Sequence, residues 1–97
     1  MNYPTVTVSV HFLTSEEGGR TSATPPDKLH CMFDLQGKYY DCRILLDSVG
    51  SVLPGQTVTA PLIFIDPETI IPKLVVGLKF NLHDPRLIAT GTVMKIA

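Results

Sequence analysis

Apolar and polar residues alternate along most of this chain. Val6, Val8, Val10 and Phe12 fall on one side of an extended stretch, and Thr5, Thr7, Ser9 and His11 fall on the other. That two-residue period is the mark of a half-buried strand. It returns over 28–35, with Leu29, Cys31, Phe33 and Leu35 on one face, and over 38–46, with Tyr40, Cys42, Ile44 and Leu46 on the matching face. Gln36-Gly37 between them predicts a two-residue hairpin turn, because glycine accepts the positive φ such turns need. Residues 57–65 read as a further strand with Val58, Ala60, Leu62 and Phe64 inward. Pro61 has no N–H to give a ladder, so an edge or a bulge is expected there.

Turn residues divide these strands. Residues 16–27 are rich in Gly, Pro, Ser and Thr and predict a long exposed loop. Leu53-Pro54-Gly55-Gln56 has the order of a type II turn. Pro67 and Pro72 break 66–77 into loop or a single helical turn. Its apolar residues Ile70, Ile71, Leu74, Val75 and Val76 are expected to plug one end of the fold, and any exposed fraction would mark a partner surface. A last hairpin, 78–82 with 87–96, turns through His83-Asp84-Pro85-Arg86. Six short strands with almost no helix predict an all-β, closed or nearly closed antiparallel barrel, in which Ala89 and Gly91 suit a tight interior.

Composition narrows the function classes. Ninety-seven residues, 44% of them hydrophobic, make one folded domain over 1–97. A net charge of -1 gives no electrostatic reason for tight nucleic-acid binding. No apolar run approaches the roughly 18 residues of a membrane span. Met1-Asn2-Tyr3-Pro4-Thr5 lacks the pattern of a secretory leader, and neither Asn2 nor Asn81 begins a glycosylation acceptor. A cytoplasmic location is the expectation.

Candidate chemistry is sparse. Gly50-Ser51-Val52-Leu53-Pro54-Gly55-Gln56-Thr57 nearly matches a phosphate-binding loop but lacks its lysine, contains Pro54 and precedes a strand, so no nucleotide is expected to bind. With a two-residue turn at 36–37, Cys31 faces Cys42 across the hairpin; both are expected to be reduced core thiols. His30 and Cys31, as strand neighbours, point to opposite faces and cannot share a site. The spacings of His11, His30, His83 and the cysteines match no metal motif, and no nucleophile elbow is present. Neither an enzyme nor a cofactor is expected. The Glu16-Glu17-Gly18-Gly19-Arg20 loop reads equally as a sharp solvated turn and as a binding loop on a rigid scaffold.

The strand 6–12 running into Ser15-Glu16-Glu17-Gly18-Gly19-Arg20 resembles the opening of the C-terminal β-barrel domain of elongation factor Tu. The likeness continues through the proline-glycine turn of Val52 to Val58, through Leu62-Ile63-Phe64-Ile65-Asp66-Pro67, and through Gly77-Leu78-Lys79-Phe80, similar to that family's Gly-Leu-Arg-Phe. Thr90-Gly91-Thr92-Val93 and Lys95-Ile96 fall where the family closes its barrel. The resemblance, over 6–97, implies a six-stranded, Greek-key-like barrel without the GTPase domain. It also implies binding partners of two kinds, protein and tRNA, met through Glu16, Glu17, Gly18, Gly19, Arg20, Lys79 and Arg86. The family's Arg-Pro-Gln-Phe-Tyr stretch is Pro25-Pro26-Asp27-Lys28-Leu29 here, and its second Glu-Gly-Gly-Arg turn is His83-Asp84-Pro85-Arg86. Lys79 stands where the family has an arginine fork. These departures favour a protein partner, expected to be translation-related, over tRNA; the alternatives are reuse of the barrel as an inhibitor protein or a residual tRNA-binding module.

Overall fold

A computed structural model describes residues 4–97, so the reading of the first three residues lies outside the described residues. The strands are β1 (Val6–Phe12), β2 (Lys28–Leu35), β3 (Lys38–Leu45), β4 (Thr57–Phe64), β5 (Lys79–His83) and β6 (Leu87–Ile96). They close into an antiparallel barrel in the order β1-β4-β3-β2-β5-β6. Because β2, β3 and β4 follow as neighbours while β1 returns beside β4, the path is a Greek key. Alternation decides the interior. Val6, Val8, Val10 and Phe12 are buried along β1, and Leu29, Cys31 and Phe33 along β2.

Aromatic rings fill the middle of the barrel. Phe33 stacks on Phe80 with centroids 4.4 Å apart and meets the edge of Phe64 at 5.0 Å. Gly91 is where the wall must come closest: a Cβ there would lie 2.4 Å from Phe80 Cζ and 2.9 Å from the Ser9 carbonyl oxygen. Gln36 and Gly37 take φ of 52° and 88°, the mirror-image turn that matches strand twist.

Antiparallel neighbours throughout put the loops 13–27, 46–56 and 84–86 at one end. The 36–37 turn and the 65–78 connection lie at the other. That connection is α1 (Pro67–Ile70) followed by a 3₁₀ turn (Ile71–Lys73), each with a proline in its first turn where no N–H is needed. Ile70 and Leu74 are buried and Ile71 packs on the core, so they plug this end. Val75 and Val76, expected to join them, are instead 61% and 65% exposed.

Two further expectations change. Pro61 is neither on an edge strand nor at a bulge: β4 lies between β1 and β3. The Ile65 N–H donates to Asp41 O, so odd-numbered positions of β4 face β3, and Pro61 is among them. Its missing N–H falls where the β3–β4 ladder stops, at Ile44↔Leu62. The 13–27 loop is not wholly exposed either. Thr24 is buried; its N–H donates to Val52 O and its Oγ1 accepts from the Val52 N–H, both at 2.9 Å, tying this loop to 46–56.

Candidate functional site

Six of the seven residues marked in the sequence sit together at the loop end. Thr14-Ser15-Glu16-Glu17 folds as a capping box: the Thr14 N–H donates to Glu17 Oε1 at 2.9 Å, and the Glu17 N–H donates back to Thr14 Oγ1 at 3.2 Å. The Thr14 N–H, and then the Thr14 hydroxyl, hold the Glu17 carboxyl below the usual carboxylate range. Gly18 takes φ 92° as the turn closes. Gly19 is pressed against Leu13, whose carbonyl oxygen would be 2.4 Å from an added Cβ, so no other residue fits.

The arginines hold this end together. Arg86 Nη2 donates to Gly19 O at 2.9 Å. Arg20 Nη2 donates to Ala23 O at 3.3 Å, and its Nη1 lies 3.6 Å from Asp84 Oδ2. Both side chains therefore join the 13–27 loop to the 84–86 turn. Glu16 remains exposed. Lys79 is separate: it begins β5, whereas Arg86 lies past the end of that strand. Four residues of strand put them about 13 Å apart at least. Lys79 Nζ reaches Thr92 Oγ1 at 3.5 Å on the barrel side.

A different surface comes together where strand register joins distant segments. On the outer face of β3 and β4, Arg43 pairs with Ile63, and Ile65 lies beside Asp41, which accepts its N–H. Tyr39 continues the row along β3, two residues from Asp41. Tyr39, Ile63 and Ile65 are 53%, 44% and 54% exposed. Arg43 Nε donates to His30 Nε2 at 3.1 Å across the β2–β3 pair. Next to them His83 Nε2 lies 3.1 Å from Asp34 Oδ2, with the Tyr39 ring edge-on at 5.2 Å. Period-2 alternation marks Tyr39, Asp41 and Arg43 as outward. Ile63 and Ile65, however, are hidden in the apolar run Leu62-Ile63-Phe64-Ile65, and only the register sets them beside β3.

Cys31 and Cys42 are register partners, as the hairpin turn predicts, and both are free thiols with Sγ atoms 3.6 Å apart. The neighbouring Cys31 thiol, and then burial, push the Cys42 thiol above its ordinary range. Among the described residues, no group of three or more His, Cys, Asp or Glu side chains is placed to hold a metal ion. The Gly50–Thr57 stretch is a turn entering β4, fastened by the Gln56 N–H on Leu53 O and by the Leu53 N–H on Gln56 Oε1. No described helix is long and apolar enough to cross a membrane. No protein-family model matches the chain, and no curated protein matches it.

Proposed function

We propose that this protein is a non-catalytic binding module that engages a protein partner through the outer face of β3 and β4. The observation that carries the reading is the patch of Tyr39, Ile63 and Ile65, exposed together beside Asp41 and Arg43. Apolar side chains exposed as a group mark interaction surfaces, and Tyr and Arg are enriched at their energetic centres. A closed barrel holds such a patch rigidly, which lowers the ordering cost of association. A translation-related partner belongs to the same proposal; it is supported by the barrel architecture, which is the one the elongation factor resemblance implies.

Protein is favoured over tRNA by the use made of the cations. Arg20 and Arg86, two of the three that an RNA surface would draw on, are engaged by backbone carbonyls and Asp84. The test compares the tagged chain with an Ile63→Asp/Ile65→Asp variant of unchanged circular dichroism, each used to capture partners from lysate of its own cell. The expected result is a defined protein held by the parent and reduced by about tenfold or more in the variant, as loss of ~1.4 kcal/mol at an interface gives. Recovery of tRNA as the main species, or equal recovery by both chains, refutes the proposal. The identity of the captured protein separates a translation partner from a target that the barrel inhibits.

A further inference from the structure

We infer that Cys31 and Cys42 form a closable dithiol, a modification site at which exchange with a low-molecular-weight disulfide converts two thiols into one cross-strand disulfide. The backbone is already in place. Leu35↔Lys38 closes the two-residue turn, and counting back along the ladder makes Cys31↔Cys42 a hydrogen-bonded pair, with Cα atoms about 5.5 Å apart. Disulfides span roughly 4.4–6.8 Å between Cα atoms. The sulfurs, now 3.6 Å apart, need only side-chain rotation to reach the bonded distance of about 2.05 Å.

The surrounding wall gives a route in. The β2–β5 ladder ends at Met32↔His83, one residue short of Cys31. Continuing that register would bring Pro85 opposite His30, and proline has no N–H to extend the ladder. A groove of about 440 Å³ lies along this seam, lined by His30, Met32, Arg43, Pro85 and both cysteines. Cys31 is the more exposed of the pair, 6% against 2%.

In the first step the Cys31 thiolate attacks one sulfur of the small disulfide and expels the other as a thiolate, which takes up the proton Cys31 lost. The mixed disulfide removes the Cys31 thiol hydrogen bond that most raises Cys42. Cys42 then attacks the Cys31 sulfur and releases the second small thiol. In total the protein loses two electrons and two protons, and the small disulfide becomes two thiols. The product staples β2 to β3. The groove shares Asp41, Arg43 and Ile65 with the binding face proposed above, but the exchange rests on the two facing sulfurs and not on that reading.

The test equilibrates the folded chain in glutathione buffers poised from reducing to oxidising, quenches with acid, alkylates under denaturing conditions and reads intact mass. The expected outcome is that both thiols become unreactive together in a monomer that carries no glutathione. The Cys42→Ser and Cys42→Ala variants, checked for folding by circular dichroism, should instead retain one glutathione at Cys31. Two alkylated thiols in the most oxidising buffer, a glutathione adduct persisting on the parent chain, or a disulfide-linked dimer would each overturn the proposal.

Discussion

Replacing Gly91 with alanine is a demanding test of the barrel's interior. The added Cβ would stand 2.4 Å from Phe80 Cζ, 2.7 Å from Cε1 and 2.9 Å from the Ser9 carbonyl oxygen. A comfortable carbon–carbon contact is about 3.5–4.0 Å, so the ring must retreat by more than an ångström. It cannot do so freely, because the ring is stacked on Phe33 with centroids 4.4 Å apart. Ser9 O belongs to β1, which is paired on both sides, so the backbone cannot yield either. Overpacking of this kind costs about 1–3 kcal/mol, and two unyielding walls place Gly91→Ala towards the upper end. Gly91 is not in the left-handed region, so alanine also stiffens the unfolded chain, which returns about 0.4–1 kcal/mol. The net loss is about 2–2.5 kcal/mol, and the thermal midpoint falls by roughly 10–20 °C for a chain of this size. Urea denaturation measures it, with the slope unchanged. A Phe80→Leu background relieves the clash, so the two substitutions together should cost clearly less than their sum. A neutral or stabilising Gly91→Ala, or strict additivity with Phe80→Leu, would refute this account of the packing.

Two other outcomes follow from the loop end. Glu17 has its carboxyl pKa lowered in the folded state, so its contribution is present above the unfolded value and is lost as pH falls through the folded one. Urea midpoints at neutral pH and near pH 3 should therefore fall further for the parent chain than for Glu17→Gln; equal falls would show that the Thr14 contact adds nothing. Arg86→Ala removes the bond to Gly19 O, and a partly exposed charge-assisted bond of this kind should cost about 1 kcal/mol. Amide exchange at Gly19, whose N–H donates to Thr14 O, should accelerate several-fold, while β1 stays protected.

How much could be read in advance depended on the range of the interaction. Gln36-Gly37 sets a local turn, and the turn alone sets the register that brings Cys31 opposite Cys42. Strand order is different in kind. Nothing near Val6 says that β1 will lie between β4 and β6, so Pro61 predicts an edge or a bulge, and the closed barrel has neither there. The candidate loop is visible through its glycines, but Asp84, the ion-pair partner of Arg20, and Gly19, which accepts from Arg86, lie more than sixty residues from those arginines and give no local signal. Lys79 and Arg86 are close in sequence, yet an extended strand carries them towards opposite ends of the barrel. For the Tyr39–Ile65 surface, alternation marks each half as outward, but nothing in the sequence joins the two halves, which meet only through the β3–β4 register.

The place of β1 in the barrel also governs the order of events as the chain folds. Its partners are β4 and β6, and Val6 pairs with both Leu62 and Ile96. The β2–β3 hairpin needs only its own turn and forms on the microsecond scale. The first strand instead remains without its ladder until residues far along the chain have become available, and that loop closure must be met before any pairing rewards it. A nascent chain therefore carries Val6, Val8, Val10 and Phe12 without their full cover until β4 and then β6 have emerged. During that interval this strand, buried and silent in the finished barrel, is open to chaperones and to wrong partners.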